Sequence, residues 1–200
     1  SFAEPSLVLE LNNEQRNLFK GIYSDLISRI RKESGLKILL QTYFGDIREA
    51  YADVIELGFD GIGLDFIEGR KTLELTQSGF PKNVLLFAGI VNGKNIWRAN
   101  YTNKLELLKE IEKAVPADNI VISTSCSLLH VPYTVGSEEK LSEEILRHFA
   151  FAEEKLTELS DIANGNVLQE NKALFAKPRT EGNSEVRQNV NQLSTAEFER

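Results

Sequence analysis

Residues 122–132 read ISTSCSLLHVP and hold the only cysteine of the chain, Cys126, with His130 four positions on. A thiol and an imidazole this close are the raw material for two chemistries. As thiolate and neutral imidazole they are zinc ligands, though a zinc site wants three or four protein ligands. As nucleophile and base they would need hydrogen-bond contact and a third group to orient the ring. Four apart on a helix they would share one face, but Pro132 bars a helix through this loop. The expected outcome is an inert buried thiol beside a loop histidine.

The elements around them follow from periodicity. Leu18, Phe19, Ile22, Tyr23, Leu26, Ile27 and Ile30 lay one apolar stripe along a helix over 14–34. Asn12 or Asn13 can cap its start, and Gly35 suits a left-handed end. LKILLQTYF (36–44) is a short apolar run fit for a buried strand. Asp46 with Glu49 predicts a capping box for a helix over 47–57, closed by Gly58. The cycle repeats with strands at 59–67, 83–91 and 119–129, and helices at 70–78 and 103–115. A long helix is expected over 138–163, from Leu141, Ile145, Leu146, Phe149, Ala152, Leu156 and Leu159. The opening SFAEPSLVLEL reads as the end of one more strand running into a loop.

Strands spaced by 25–35 residues, each followed by a helix, predict parallel βα units: an α/β fold forming roughly half of a TIM-type (βα)8 barrel. The division expected is a barrel portion, 1–163, and a polar linker or loosely attached tail, 164–200, rich in Asn, Glu, Gln and Ser. The chain contains no methionine and starts with Ser1, so we expect it to be a piece of something longer. In a barrel, function gathers where strands end. Those ends are TYFGD, LDFIEG, AGIVNGKNIWR and STSCSLLHVP.

Composition narrows the partners. Hydrophobic residues are 42% and charged residues 26% of 200, the balance of a folded globular chain. The net charge of −7 and the lack of a basic run argue against nucleic acid and against an anionic membrane surface. No apolar stretch approaches the roughly 18 residues of a membrane helix. One cysteine makes no internal disulfide, and no secretory signal is visible, so a cytoplasmic setting is expected. Gly-x-Gly-x-x-Gly and Gly-x-x-x-x-Gly-Lys-Ser/Thr are both absent, which removes the common nucleotide readings.

Taken together, EPSLVLEL, QTYFGD, GIGLDF, AGIVNGKNIWRANY and STSCSLLHVPYTVGSEEKLSEEI resemble, in order and spacing, the N-terminal domain of the cobalamin-independent methionine synthases, over about residues 3–160. The resemblance implies methyl transfer from a 5-methyltetrahydrofolate polyglutamate to homocysteine by two (βα)8 barrels related by duplication. It places the catalytic zinc in the other, C-terminal barrel, with that barrel as partner. It also implies that this chain is the second half of the first barrel, with the opening strands and a basic folate-contacting segment missing. The family's acid before the Glu4-Pro5 pair is here Ala3.

By the same duplication, the second barrel's His-x-Cys, Glu and Cys zinc ligands correspond to Thr42 and Phe44, Asp65 and Cys126. Two of four are lost, so Asp65 and Cys126 are expected as relics and no metal or cofactor is expected in this chain. No residue is expected to be catalytic. Tyr43, Asp65, Trp97 and Arg98 are weak candidates for a cleft wall that contacts folate. The blander roles are a rim aromatic for Trp97, a carboxylate partner for Arg98, and backbone and hydroxyl hydrogen bonds for Asp65. Two other functions stay open: a docking module without a ligand, and a stand-alone enzyme on a related, uroporphyrinogen-decarboxylase-like barrel. Open edges on a half barrel further predict self-association.

Overall fold

The computed structural model describes residues 1–176. Five parallel strands form one open sheet in consecutive order: β1 (Phe2–Ala3), β2 (Leu39–Gln41), β3 (Gly61–Asp65), β4 (Leu85–Val91) and β5 (Ile120–Thr124). Helices separate them: α1 (Asn13–Glu33), α2 (Ala50–Glu56), α3 (Thr72–Ser78) and α4 (Tyr101–Glu112). After β5 come α5 (Glu143–Leu146), α6 (Ala152–Asn164) and α7 (Leu168–Phe175). The expected βα order is therefore present, and the expected strand end at the start is β1.

Register divides the sheet into two faces. Leu40, Ile62 and Leu86 align across β2, β3 and β4, and Leu64 aligns with Ala88. All five are buried in the core with Val54, Tyr101 and Ile111 of the helical layer. The alternate residues Leu39, Gln41, Leu85 and Phe87 stay half-buried or exposed, because strand side chains alternate between faces and nothing in the described chain covers the second one. Glycines Gly61, Gly63 and Gly89 share that second face. A Cβ on Gly89 would lie 2.8 Å from the Ser125 Cα and 2.9 Å from the Leu64 carbonyl oxygen, so glycine lets β4 approach both neighbours.

Two local expectations need correction. The helix α1 ends at Glu33 with an extended cap at Ser34, and Gly35 does not take a left-handed backbone. The capping box at Asp46 and Glu49 does not form; Asp46 accepts the Lys71 N–H at 3.1 Å and pairs with Arg48 at 3.3 Å. At the other end of α2, Gly58 does take positive φ.

The largest difference is the long helix over 138–163. It is broken into α5 and α6 by residues 147–151, which run alongside 96–98. Arg98 N–H donates to the His148 carbonyl at 2.8 Å and Ala150 N–H to the Ile96 carbonyl at 2.8 Å. The apolar spacing of Phe149 and Phe151 fits a bridged extended segment as well as a helix, and the tertiary pairing decides.

The polar segment after 163 is not loose over 168–175. It forms α7, where Asn171 is buried, accepts the Tyr101 N–H at 2.9 Å and donates to the Ala99 carbonyl at 2.9 Å. The remainder of the predicted tail, 177–200, lies outside the described residues. Among the described residues, no helix is long and apolar enough to cross a membrane.

Candidate functional site

The C-terminal ends of β2, β3, β4 and β5 bring four predicted positions to one end of the sheet. Thr42 is buried and donates its hydroxyl to the Gly63 carbonyl at 2.8 Å. Phe44 follows with φ 72°, a left-handed backbone that a phenylalanine adopts only when its surroundings hold it there.

Asp65 supplies that hold. Only 1% exposed, it accepts N–H bonds from Ile67 at 2.7 Å, Glu68 at 2.9 Å and Phe44 at 3.0 Å. Burial pushes its carboxyl above the ordinary value, and the three N–H groups pull it only part of the way back.

Cys126 is buried at the end of β5, where burial raises its thiol and keeps it protonated. Its Sγ lies 3.7 Å from the Ser127 carbonyl, a weak sulfur contact. His130 closes a short turn, Leu128–His130, and is exposed. Its ring meets Phe44 edge-on, with centroids 5.4 Å apart. No hydrogen bond joins Cys126 to His130 in the described chain, so the nucleophile–base pairing is not assembled. Among the described residues, no group of three or more His, Cys, Asp and Glu stands close enough to share a metal ion. The donor chemistry agrees with that geometry: Thr42 and Phe44 offer no ligand, both Asp65 oxygens are committed to backbone N–H groups, and the Cys126 thiol is held protonated.

The same end of the sheet contains groups that sequence reasoning passed over. Lys94 pairs with both carboxylate oxygens of Glu68 at 2.7 Å and lies 5.2 Å from the Phe44 ring centre. Hydrogen bonding to Glu68 raises the Lys94 ammonium. Phe44 thus carries a cation over its face, an imidazole at one edge and Tyr43 at another, with Tyr43 at 4.9 Å. Glu68 and Lys94 each stand three residues past the end of a neighbouring strand, Asp65 of β3 and Val91 of β4, and that shared offset was the available signal.

Trp97 and Arg98 lie apart from this cluster, on the loop after β4. Trp97 is 40% exposed and bridges to Phe149, with ring centroids 5.2 Å apart. Arg98 forms no ion pair with a carboxylate among the described residues. Its Nε donates to the Arg147 carbonyl and its Nη2 to the Phe149 carbonyl, both at 3.0 Å. The guanidinium fork therefore clamps the extended segment that breaks the long helix.

Beneath the clamp, α6 turns Lys155 and Glu158 into the core, both fully buried. Lys155 donates to the Trp97 carbonyl at 3.1 Å, and Glu158 accepts the Ala99 N–H at 2.8 Å. The second Glu158 oxygen has no hydrogen-bond partner among the described residues. Burial raises the Glu158 carboxyl and lowers the Lys155 ammonium, against the attraction each exerts on the other. The step of four from Phe151 to Lys155, then three to Glu158, continues to buried Ile162. A charged pair in the apolar register of α6 was the trace left in sequence.

Three comparisons bear on this arrangement. Residues 1–116 match a family model described as the N-terminal domain of cobalamin-independent synthase. A 5-methyltetrahydropteroyltriglutamate–homocysteine methyltransferase of Lactococcus lactis subsp. cremoris strain MG1363 is 52% identical over 98% of this chain. The protein of that name from Streptococcus sanguinis strain SK36 is 50% identical over the same share. The chain spans about a quarter, 26%, of the length of these relatives. A B12-independent methionine synthase from Shewanella sp. W3-18-1, solved with selenomethionine, matches 88% of this chain and 49% of its own. The TM-score is 0.55 and the identity 16%, a likeness of fold.

Proposed function

Because the chain belongs to the family of cobalamin-independent synthase N-terminal domains, we propose that it is a non-catalytic part of a methyltransferase. The reaction is methyl transfer from a 5-methyltetrahydrofolate polyglutamate to homocysteine, giving methionine. In this reading the chain is scaffold and cleft wall. Zinc sits in a second, C-terminal barrel, where it would hold the homocysteine sulfur as a thiolate. Tyr43, Asp65, Trp97 and Arg98 border the cleft, Asp65 by positioning backbone rather than by touching substrate. The cytoplasm is the compartment that fits a single protonated cysteine and a biosynthetic role.

The observation that carries this reading is the fate of Asp65. Its two oxygens serve three backbone N–H groups, which makes it a structural organiser where a metalloenzyme would need an available ligand. In this reading residues 1–163 are the barrel portion, and α7 packs against α4 beside it. The uncovered sheet face and the edge strands β1 and β5 favour contact with further chain, or with a second copy when that chain is missing.

The test is kinetic, on the full-length protein. Trp97→Ala is expected to raise KM for the folate polyglutamate about tenfold with little change in kcat, as loss of uniform binding does. An unchanged KM together with no calorimetric heat from the folate would leave the docking role instead.

A further inference from the structure

A cavity of 390 Å³ opens between the loops after β3 and β4 and the first turn of α4. Trp97 and Ile67 give it apolar walls, and Phe175 of α7 closes one side. The polar lining is one-sided: Asn92, Asn95, Arg98, Asn100, Asn103 and Lys104. None of the lining residues is acidic, although the chain holds 30 acidic residues against 23 basic ones.

The asparagines are oriented by their own loops. Asn92 Oδ1 accepts the N–H groups of Lys94 at 2.9 Å and Asn95 at 3.1 Å. Asn95 Oδ1 accepts the Trp97 N–H at 3.1 Å, and Asn100 Oδ1 accepts the Asn103 N–H at 3.3 Å. With the oxygens committed, each of these side chains has its NH2 group left to give. Arg98 spends Nε and Nη2 on carbonyls and retains Nη1. The Lys104 ammonium makes no ion pair or hydrogen bond with any described residue, and burial lowers its pKa. Glu158 acts on it through space, by charge attraction that opposes the effect of burial.

We propose that this cavity binds the oxyanion group of a small molecule, a carboxylate or a phosphate, through Lys104 and the amides of Asn92, Asn95 and Asn100. A cluster of amide donors with two cations and no carboxylate in its lining fits a group that has only acceptors to offer. Trp97 would flank whatever apolar or planar portion the ligand carries. The site is separate from the Phe44 cluster and shares Trp97 and Arg98 with the cleft wall proposed above, but its donors are argued without the methyltransferase reading.

The experiment is a calorimetric titration of the full-length protein with inorganic phosphate and, separately, with glutarate. It is run on the wild type, Lys104→Gln, Lys104→Arg and Asn95→Asp. Lys104→Gln is expected to weaken the bound probe about tenfold, the loss of one hydrogen bond to a charged group. Lys104→Arg should retain most of the binding, and Asn95→Asp, which places a carboxylate at the mouth, should remove it. Asn95→Asp lies on a surface loop, so it reads the site even if Lys104→Gln fails to fold. Binding of phosphate alone assigns a phosphate ligand, and binding of glutarate alone assigns a carboxylate. The proposal is overturned if neither probe binds at millimolar concentration, or if binding is equal in wild type, Lys104→Gln and Asn95→Asp.

Discussion

The backbone N–H of Phe44 donates across 3.0 Å to the carboxylate of Asp65, joining the end of β2 to the end of β3. That bond holds Phe44 in its left-handed backbone and sets its ring under Lys94 and against His130. Asp65 thus acts on the mouth of the sheet through another residue. Asp65→Ala would orphan the N–H groups of Ile67, Glu68 and Phe44, and each unsatisfied buried donor costs about 1–3 kcal/mol. We expect a loss of about 3 kcal/mol or more in urea unfolding. Asp65→Asn should lose less, because one amide oxygen can still serve Ile67 and Glu68 while the NH2 group opposes Phe44. Equal losses for the two variants would count against the clamp.

Gly63 on β3 and Gly93, two residues past the end of β4, should differ in what replacement by alanine costs. A Cβ on Gly93 would stand 2.5 Å from the Cys126 carbonyl oxygen and 3.0 Å from its Sγ. The end of β5 would have to move, at about 1–3 kcal/mol. At Gly63 the new methyl meets the far end of the Gln41 side chain, which can swing over the uncovered face. That change should cost less than about 1 kcal/mol. The comparison needs only two denaturation midpoints.

Cys126 should be a slow thiol and a dispensable one. It is buried, and burial holds its pKa above the ordinary thiol value, so little thiolate is present near neutral pH. Iodoacetamide labelling at pH 7.5 is expected to be at least about tenfold slower than for a free thiol, recovering in denaturant. Zinc content by plasma mass spectrometry should be the same with and without Cys126→Ser. Zinc lost in that variant would put Asp65 and His130 next in line as ligands.

Asp60 gives a pH dependence with a definite sign. The Ile38 N–H bond at 2.9 Å, helped by Lys37 at 3.1 Å and Arg31, holds its carboxyl below the ordinary value against the opposing effect of burial. A carboxyl lowered by folding adds stability above its unfolded pKa, about 3.9, and loses it as pH falls through the folded value. The stability gap between wild type and Asp60→Asn should therefore be full at pH 6 and close progressively below about pH 4. Urea midpoints across that range check it, and a gap that widens on acidification would reverse the sign.

Sequence alone carried the repeat of strand and helix, the strand ends and the family. These follow from local periodicity and from strings such as NGKNIWR and SCSLLHVP, which depend on few distant contacts. It also separated Cys126 from an obvious partner, because Pro132 limits the loop. Folding decided the rest. The break at 147–151 depends on pairing with residues 96–98, a contact about fifty residues away, which no helical period reveals. Arg98 finds carbonyls rather than a carboxylate because that segment arrives beside it. Asp65 becomes an acceptor for three N–H groups only when two loops converge on it. Spacing reports which side chains share a face of one element. Hydrogen bonds between elements are settled by which backbones packing brings within about 3 Å, and that was decided by the tertiary structure.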